Sequence, residues 1–101
     1  MTEEERKQYL IDFGKRVRLY REKLEMSQRE LGRLAGYVDG ANPASSISKI
    51  ENGQMDITQT KIADIARALK VQPYELILPP QVSRLVKYAE IIQKGDANVE
   101  V

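Results

Sequence analysis

Residues 43–51 read Pro-Ala-Ser-Ser-Ile-Ser-Lys-Ile-Glu, three hydroxyls and one ammonium set among two isoleucines. Wound as a helix, this run puts Ile47 and Ile50 on one side and Ala44, Ser45, Ser46, Ser48 and Lys49 on the other. The second set can donate and accept hydrogen bonds but is poorly equipped to break covalent bonds. Ser48 and Lys49 are chain neighbours that point in different directions on a helix, so they form no nucleophile–base pair. The chain contains no His and no Cys. Imidazole bases, thiolate nucleophiles, disulfides and the softer zinc ligands are therefore missing. No cofactor or metal is implied and no enzymatic activity is expected. The chemistry that remains is recognition.

The rest of the chain supplies elements to position that run. Thr2 with Glu5 is a capping-box pattern, and Glu3 and Glu4 suit the positive end of a helix. Leu10, Phe13, Val17, Tyr20 and Leu24 then recur at three or four, predicting a first amphipathic helix over about 3–25. Within it, Gly14 marks either a bend or a close packing contact. Ser27 and Glu30 form a second capping box for a helix over about 28–35, with Leu31 and Leu34 inward and Gly36 as its stop. Tyr37 to Ala41 read as loop. Asn42 caps a third helix with Pro43 at its first position, ending near Glu51 before Asn52-Gly53. Thr58 caps a fourth over about 59–69, packed through Ile62, Ile65, Ala66 and Leu69. Pro73 opens a short fifth helix with Leu76 and Ile77, and Pro79-Pro80 stops it. Val82, Leu85, Val86, Ala89 and Ile92 share a stripe on a sixth helix over about 81–94, terminated by Gly95. Nothing alternates at a period of two, so the expected class is all-α. The expected organisation is a domain over 1–78, an added C-terminal helix within 79–94 and a flexible tail over 95–101.

At 101 residues, 42% hydrophobic and 31% charged, the composition fits one folded domain and argues against wholesale disorder. No apolar run reaches membrane-spanning length, and no signal-peptide core follows Met-Thr-Glu-Glu-Glu; a cytoplasmic protein without a membrane partner is expected. A net charge of +1 argues against binding nucleic acid through bulk charge alone. Residues 6–23 nevertheless hold Arg6, Lys7, Lys15, Arg16, Arg18, Arg21 and Lys23 against Asp12 and Glu22. That stretch is either a solvated helix face or a local basic patch.

Two short helices joined by a glycine-containing turn, the second with a thin polar face, have the geometry that places a helix in the DNA major groove. Four words in order carry a family resemblance: Lys-Arg-Val-Arg, Met-Ser-Gln-Arg-Glu-Leu, Ile-Ser-Lys-Ile-Glu-Asn-Gly and Ile-Ala-Asp-Ile-Ala-Arg-Ala-Leu-Lys-Val. Arg16 to Ile77 resemble the lambda-repressor-like helix-turn-helix domain, the Cro/repressor or XRE type of phage repressors and bacterial regulators. The resemblance implies a five-helix lambda-repressor-like DNA-binding domain, here with an additional C-terminal helix. It implies a sequence-specific regulator of transcription, most often a repressor, acting on double-stranded DNA as a homodimer.

The resemblance also implies roles for individual residues. Gln28 matches a glutamine that contacts phosphate and buttresses the recognition helix; as a bare first-turn residue it would simply be solvated. Ala44, Ser45 and Lys49 match base-reading positions, and Ser46 and Ser48 share their face. Lys49 either donates to guanine O6 and N7 or meets phosphate only, and Ala44 suits a thymine methyl. Asn52 matches a phosphate contact, with Gln54, Arg18 and Lys15 as lesser candidates. Arg21 and Glu51 match a partly buried structural ion pair. The turn near Tyr37 to Ala41 departs from the family by about five extra residues, lying along the DNA backbone or extending into solvent. The stripe over 81–94 meets its own domain, a second copy or a protein partner. An alternative role is the antitoxin of a toxin–antitoxin pair, with residues 81–101 holding the toxin.

Overall fold

Five helices form where the capping signals place them in a computed structural model that describes residues 1–37 and 42–77. They are α1 Glu3–Lys23, α2 Gln28–Leu34, α3 Pro43–Glu51, α4 Gln59–Leu69 and α5 Tyr74–Ile77, with no strand among the described residues. The sixth helix expected over 81–94, the tail over 95–101 and loop residues 38–41 lie outside the described residues.

The starts of α1 to α4 are each fixed by a side chain that satisfies an orphan N–H. Thr2 Oγ1 accepts from the Glu5 N–H at 3.1 Å while the Glu5 carboxylate accepts from the Thr2 N–H at 2.8 Å, a complete capping box. Hydrogen bonding from Thr2 to the carboxylate, first from its backbone N–H and then from its side chain, holds the Glu5 carboxyl below its usual range. Ser27 accepts from Glu30 N–H at 2.9 Å, Asn42 from Ala44 N–H at 3.0 Å and Thr58 from Lys61 N–H at 3.2 Å.

The ends share one device. In each of α1 to α4 a left-handed residue reverses the chain, and the next N–H returns to a carbonyl five residues back: Met26 to Arg21, Tyr37 to Gly32, Gln54 to Lys49, Val71 to Ala66. The left-handed residue is Gly36 after α2 (φ +91°) and Gly53 after α3 (φ +70°), but Glu25 after α1 (φ 54°) and Lys70 after α4 (φ 61°). A Cβ in that conformation is strained. Glu25→Gly is therefore expected to raise stability by about 0.5–1 kcal/mol, seen as a higher denaturation midpoint. An unchanged or lowered midpoint would show that the Glu25 side chain contributes more than its backbone strain costs.

The core comprises Phe13 and Val17 of α1, Leu31 of α2 with its C-cap Ala35, Ile47 and Ile50 of α3, Ile65, Ala66 and Leu69 of α4, and Leu76 of α5. Two leucines expected inward are not. Leu34 is 59% exposed because α2 buries the i, i+4 pair Leu31 and Ala35, which turns position 34 outward. Leu24 is 40% exposed because α1 ends at Lys23 and the Glu25 turn carries its side chain off the core-facing stripe.

Two glycines permit backbone-to-backbone packing. A Cβ on Gly14 would strike the carbonyl oxygens of Ile50 and Glu51, so α1 crosses directly on the last turn of α3. A Cβ on Gly32 would strike the Pro43 carbonyl and its Cβ, so α2 lies on the first turn of α3. The close-contact alternative for Gly14 thus holds. At the far side α5 docks on α1: the Arg16 guanidinium donates to the Leu76 carbonyl at 3.2 Å, and the Tyr20 hydroxyl to the buried Glu75 carboxylate at 3.4 Å.

Candidate nucleic-acid interface

At the centre of the α1, α2 and α3 junction is the carboxylate of Glu51, whose side chain is 3% exposed. The Arg21 guanidinium grips it with two bonds, Nε at 2.6 Å and Nη2 at 3.2 Å, and its Nη1 donates to the Met26 carbonyl at 2.8 Å. Gln28 Nε2 adds a third bond to the carboxylate at 3.0 Å. One buried charge therefore ties the end of α1, the start of α2 and the end of α3 together. Such a carboxylate is tolerable in a low-dielectric site because paired, hydrogen-bonded donors replace its lost water.

With Ile47, Ile50 and Glu51 inward, the opposite side of α3 is open. Ser45 and Lys49, one turn apart, are exposed, and exposed Asn52 follows as the C-cap. Ala44, Ser46 and Ser48 are half-buried along the flanks of that face. The Gly53 turn closes α3 on the backbone alone, which leaves the Asn52 side chain at the surface. Gln54 is exposed just beyond it.

Both ends of the long α2–α3 connection are anchored. At the start, the Tyr37 N–H bonds Gly32, its ring packs against the core, and the Lys61 ammonium stands 4.4 Å from the ring centroid. The same ammonium donates to the Ala35 carbonyl at 2.8 Å, capping the end of α2 from α4. Burial, and then the negative charge of Asp64, push the Tyr37 phenol up, so it stays a neutral hydroxyl well above pH 7. At the other end Asn42 caps α3 and Pro43 rests on Gly32.

Five of the seven cations in the basic stretch of α1 have a partner within the chain, two of them in exposed pairs. Arg6 pairs with Asp56 at 2.7 Å, Arg18 with Glu22 at 3.1 Å and Arg21 with Glu51, while Arg16 bonds Leu76 and Lys23 lies over Tyr20. Lys15 is exposed, and Arg18 is exposed despite its partner.

Three participants escape sequence reasoning: the Met26 carbonyl, Lys61 and Gly32. The first two depend on tertiary approach and have no local signal. Gly32 does leave one, since a glycine inside an otherwise good helix former costs about 1 kcal/mol against alanine and asks for a packing reason.

A family model described as helix-turn-helix matches residues 17–76, more than half the chain and the span from α1 to α5. The chain belongs to the helix-turn-helix family. Within it the lambda-repressor-like, XRE-type branch accounts for the all-helical architecture and the order of its helices. A solved structure gives the same result: the restriction-modification controller protein C.AhdI from Aeromonas hydrophila is 34% identical, with a TM-score of 0.59. The match covers 66% of this chain and 94% of that one. No curated protein matches the sequence. The first four turns of α1, before Val17, precede the matched helix-turn-helix span. The family and this neighbour make the chain a DNA-binding regulator, and none of its described helices is long and apolar enough to cross a membrane.

Proposed function

We propose that the protein is a sequence-specific transcriptional repressor that occupies an operator, each copy reading a half-site through α3. The observation that carries this reading is a polar, exposed α3 face on a helix pinned from behind by the buried Arg21–Glu51–Gln28 network and the two glycine contacts. A groove-reading helix must arrive in a fixed orientation, because base-edge hydrogen bonds tolerate little angular error. Ser45 and Lys49 read bases, Ala44, Ser46 and Ser48 fill in around them, and Asn52 meets phosphate. Gln28 has one amide hydrogen committed to Glu51 and a second to offer a phosphate. One domain covers only a half-site, so a homodimer on a two-fold operator supplies the remaining affinity. The likeness to a restriction-modification controller supports gene regulation as the outcome of binding.

Lys49→Ala is expected to cost about 1–3 kcal/mol on the preferred duplex and to relax preference at one position per half-site, leaving other positions unchanged. Gln28→Ala should weaken all duplexes alike. Quantitative binding to a panel of singly substituted duplexes separates the two. If Lys49→Ala keeps the full preference profile and only flattens the salt dependence, its base-reading role is wrong.

A further inference from the structure

We infer that α2 carries a second DNA-contacting strip, Arg29 and Arg33, which grips the phosphate backbone beside the groove that α3 enters; this rests on the DNA-binding reading above. Both residues are exposed, and neither guanidinium has a hydrogen bond or ion pair among the described residues. This separates them from Arg6, Arg18, Arg21, Lys61 and Arg67, each of which has a carboxylate within 4 Å.

Their direction follows from the contacts of their neighbours. Gln28 bonds Glu51 and Gly32 lies on Pro43, so positions 28 and 32 mark the edge of α2 that faces α3. Leu31 and Ala35 are buried, and the Ala35 carbonyl takes its bond from Lys61 of α4. A helix advances about 100° per residue. Positions 29 and 33 therefore follow the α3-facing edge round toward solvent, one turn apart. Glu30 and exposed Leu34 follow the α4-facing edge instead. The outer surface of α2 is divided, with two guanidiniums beside α3 and its one acid away from it.

A helix seated in the major groove, about 12 Å wide, has a phosphate backbone on either side. A helix packed 8–10 Å from it, as neighbouring helices are, crosses one of those backbones. Two guanidiniums on the near edge of α2 meet successive phosphates there, and a guanidinium fork matches a phosphate's two oxygens. These contacts hold the protein's register on the duplex and carry no base information. They also give a chain of net charge +1 a local cationic surface beside α3.

The test is a salt series of anisotropy titrations on an operator-like duplex and on a scrambled one. It compares the wild-type chain, Arg29→Gln/Arg33→Gln, Arg29→Lys/Arg33→Lys and the remote exposed control Lys70→Gln, with a thermal melt of each. The glutamine pair should make the log–log salt slope shallower by roughly 2, at about 0.9 per lost phosphate contact. Affinity should fall roughly 10- to 100-fold on both duplexes, with the melt unchanged, the lysine pair near wild type and Lys70→Gln without effect. A wild-type slope in the glutamine pair would overturn the inference, as would an equal loss in Lys70→Gln, which would make the effect one of overall charge. A wild-type chain that binds neither duplex overturns the underlying DNA reading instead, and the two failures are distinct.

Discussion

Arg21→Ala is expected to remove about 3 kcal/mol of stability, lowering the melting temperature by roughly 10–20 °C for a domain of this size. The cost is less the value of two hydrogen bonds than the state of what remains. Glu51 would keep its charge with its side chain 3% exposed, losing two of the three side-chain donors that surround it. The Met26 carbonyl would also lose its partner, loosening the turn between α1 and α2. Because one arginine serves both groups, Arg21→Lys should recover only part of the loss; a single ammonium cannot reproduce the fork. Arg21→Ala with Glu51→Ala should cost less than the two single changes together, since the stranded carboxylate is gone. A denaturation curve placing Arg21→Ala within about 0.5 kcal/mol of wild type would contradict the assignment of this pair as the brace of the junction. The exposed pairs Arg6–Asp56 and Arg18–Glu22 serve as controls, each worth well under about 1 kcal/mol.

Gly32→Ala is the second large effect, and it couples stability to binding. The new Cβ would lie 2.7 Å from the Pro43 carbonyl carbon and from its Cβ, closer still to the oxygen. Nothing there is the free end of a flexible side chain, so α2 and α3 must separate. Overpacking of this kind costs about 1–3 kcal/mol, partly offset by the roughly 0.5–1 kcal/mol that alanine gains over glycine in a helix. The displacement falls on the first turn of α3, where Ala44 and Ser45 stand. We expect a net loss near 1–2 kcal/mol in the melt and a loss of at least about tenfold in operator affinity under conditions where the variant is fully folded, consistent with a misplaced reading helix. Gly14→Ala presses on the carbonyls of Ile50 and Glu51 at the other end of α3 and should behave alike. Full operator affinity in both variants would mean that α3 is not held by these contacts.

Much of this architecture is written locally. Thr2, Ser27, Asn42 and Thr58 each precede a helix by one residue, and the spacing from cap to stop predicts α3 and α4 over the residues they occupy. Caps are legible because the bond that makes them spans two or three residues. Exposure at a short helix is harder. With seven residues, α2 offers two candidate apolar pairs, 31 with 34 and 31 with 35, and only packing against α3 and α4 selects the second. The junction shows the same divide. Arg21 and Glu51 are visible as a pair through the family resemblance, since 30 residues of sequence separate them. Met26 and Lys61 contribute through a carbonyl acceptor and a long side chain reaching between helices, for which no periodicity exists. The basic run of α1 misleads for the same reason. Residue types alone cannot reveal that Asp56, Glu51 and the Leu76 carbonyl come to meet it.

The central claim is that the open side of α3 reads DNA sequence, and selection of bound duplexes from a random pool tests it most directly. The expected result is a single enriched motif with two-fold symmetry, its half-sites about 10 base pairs apart, whose profile changes at one position per half when Lys49 is replaced. A folded protein that enriches no motif over the starting pool would contradict it.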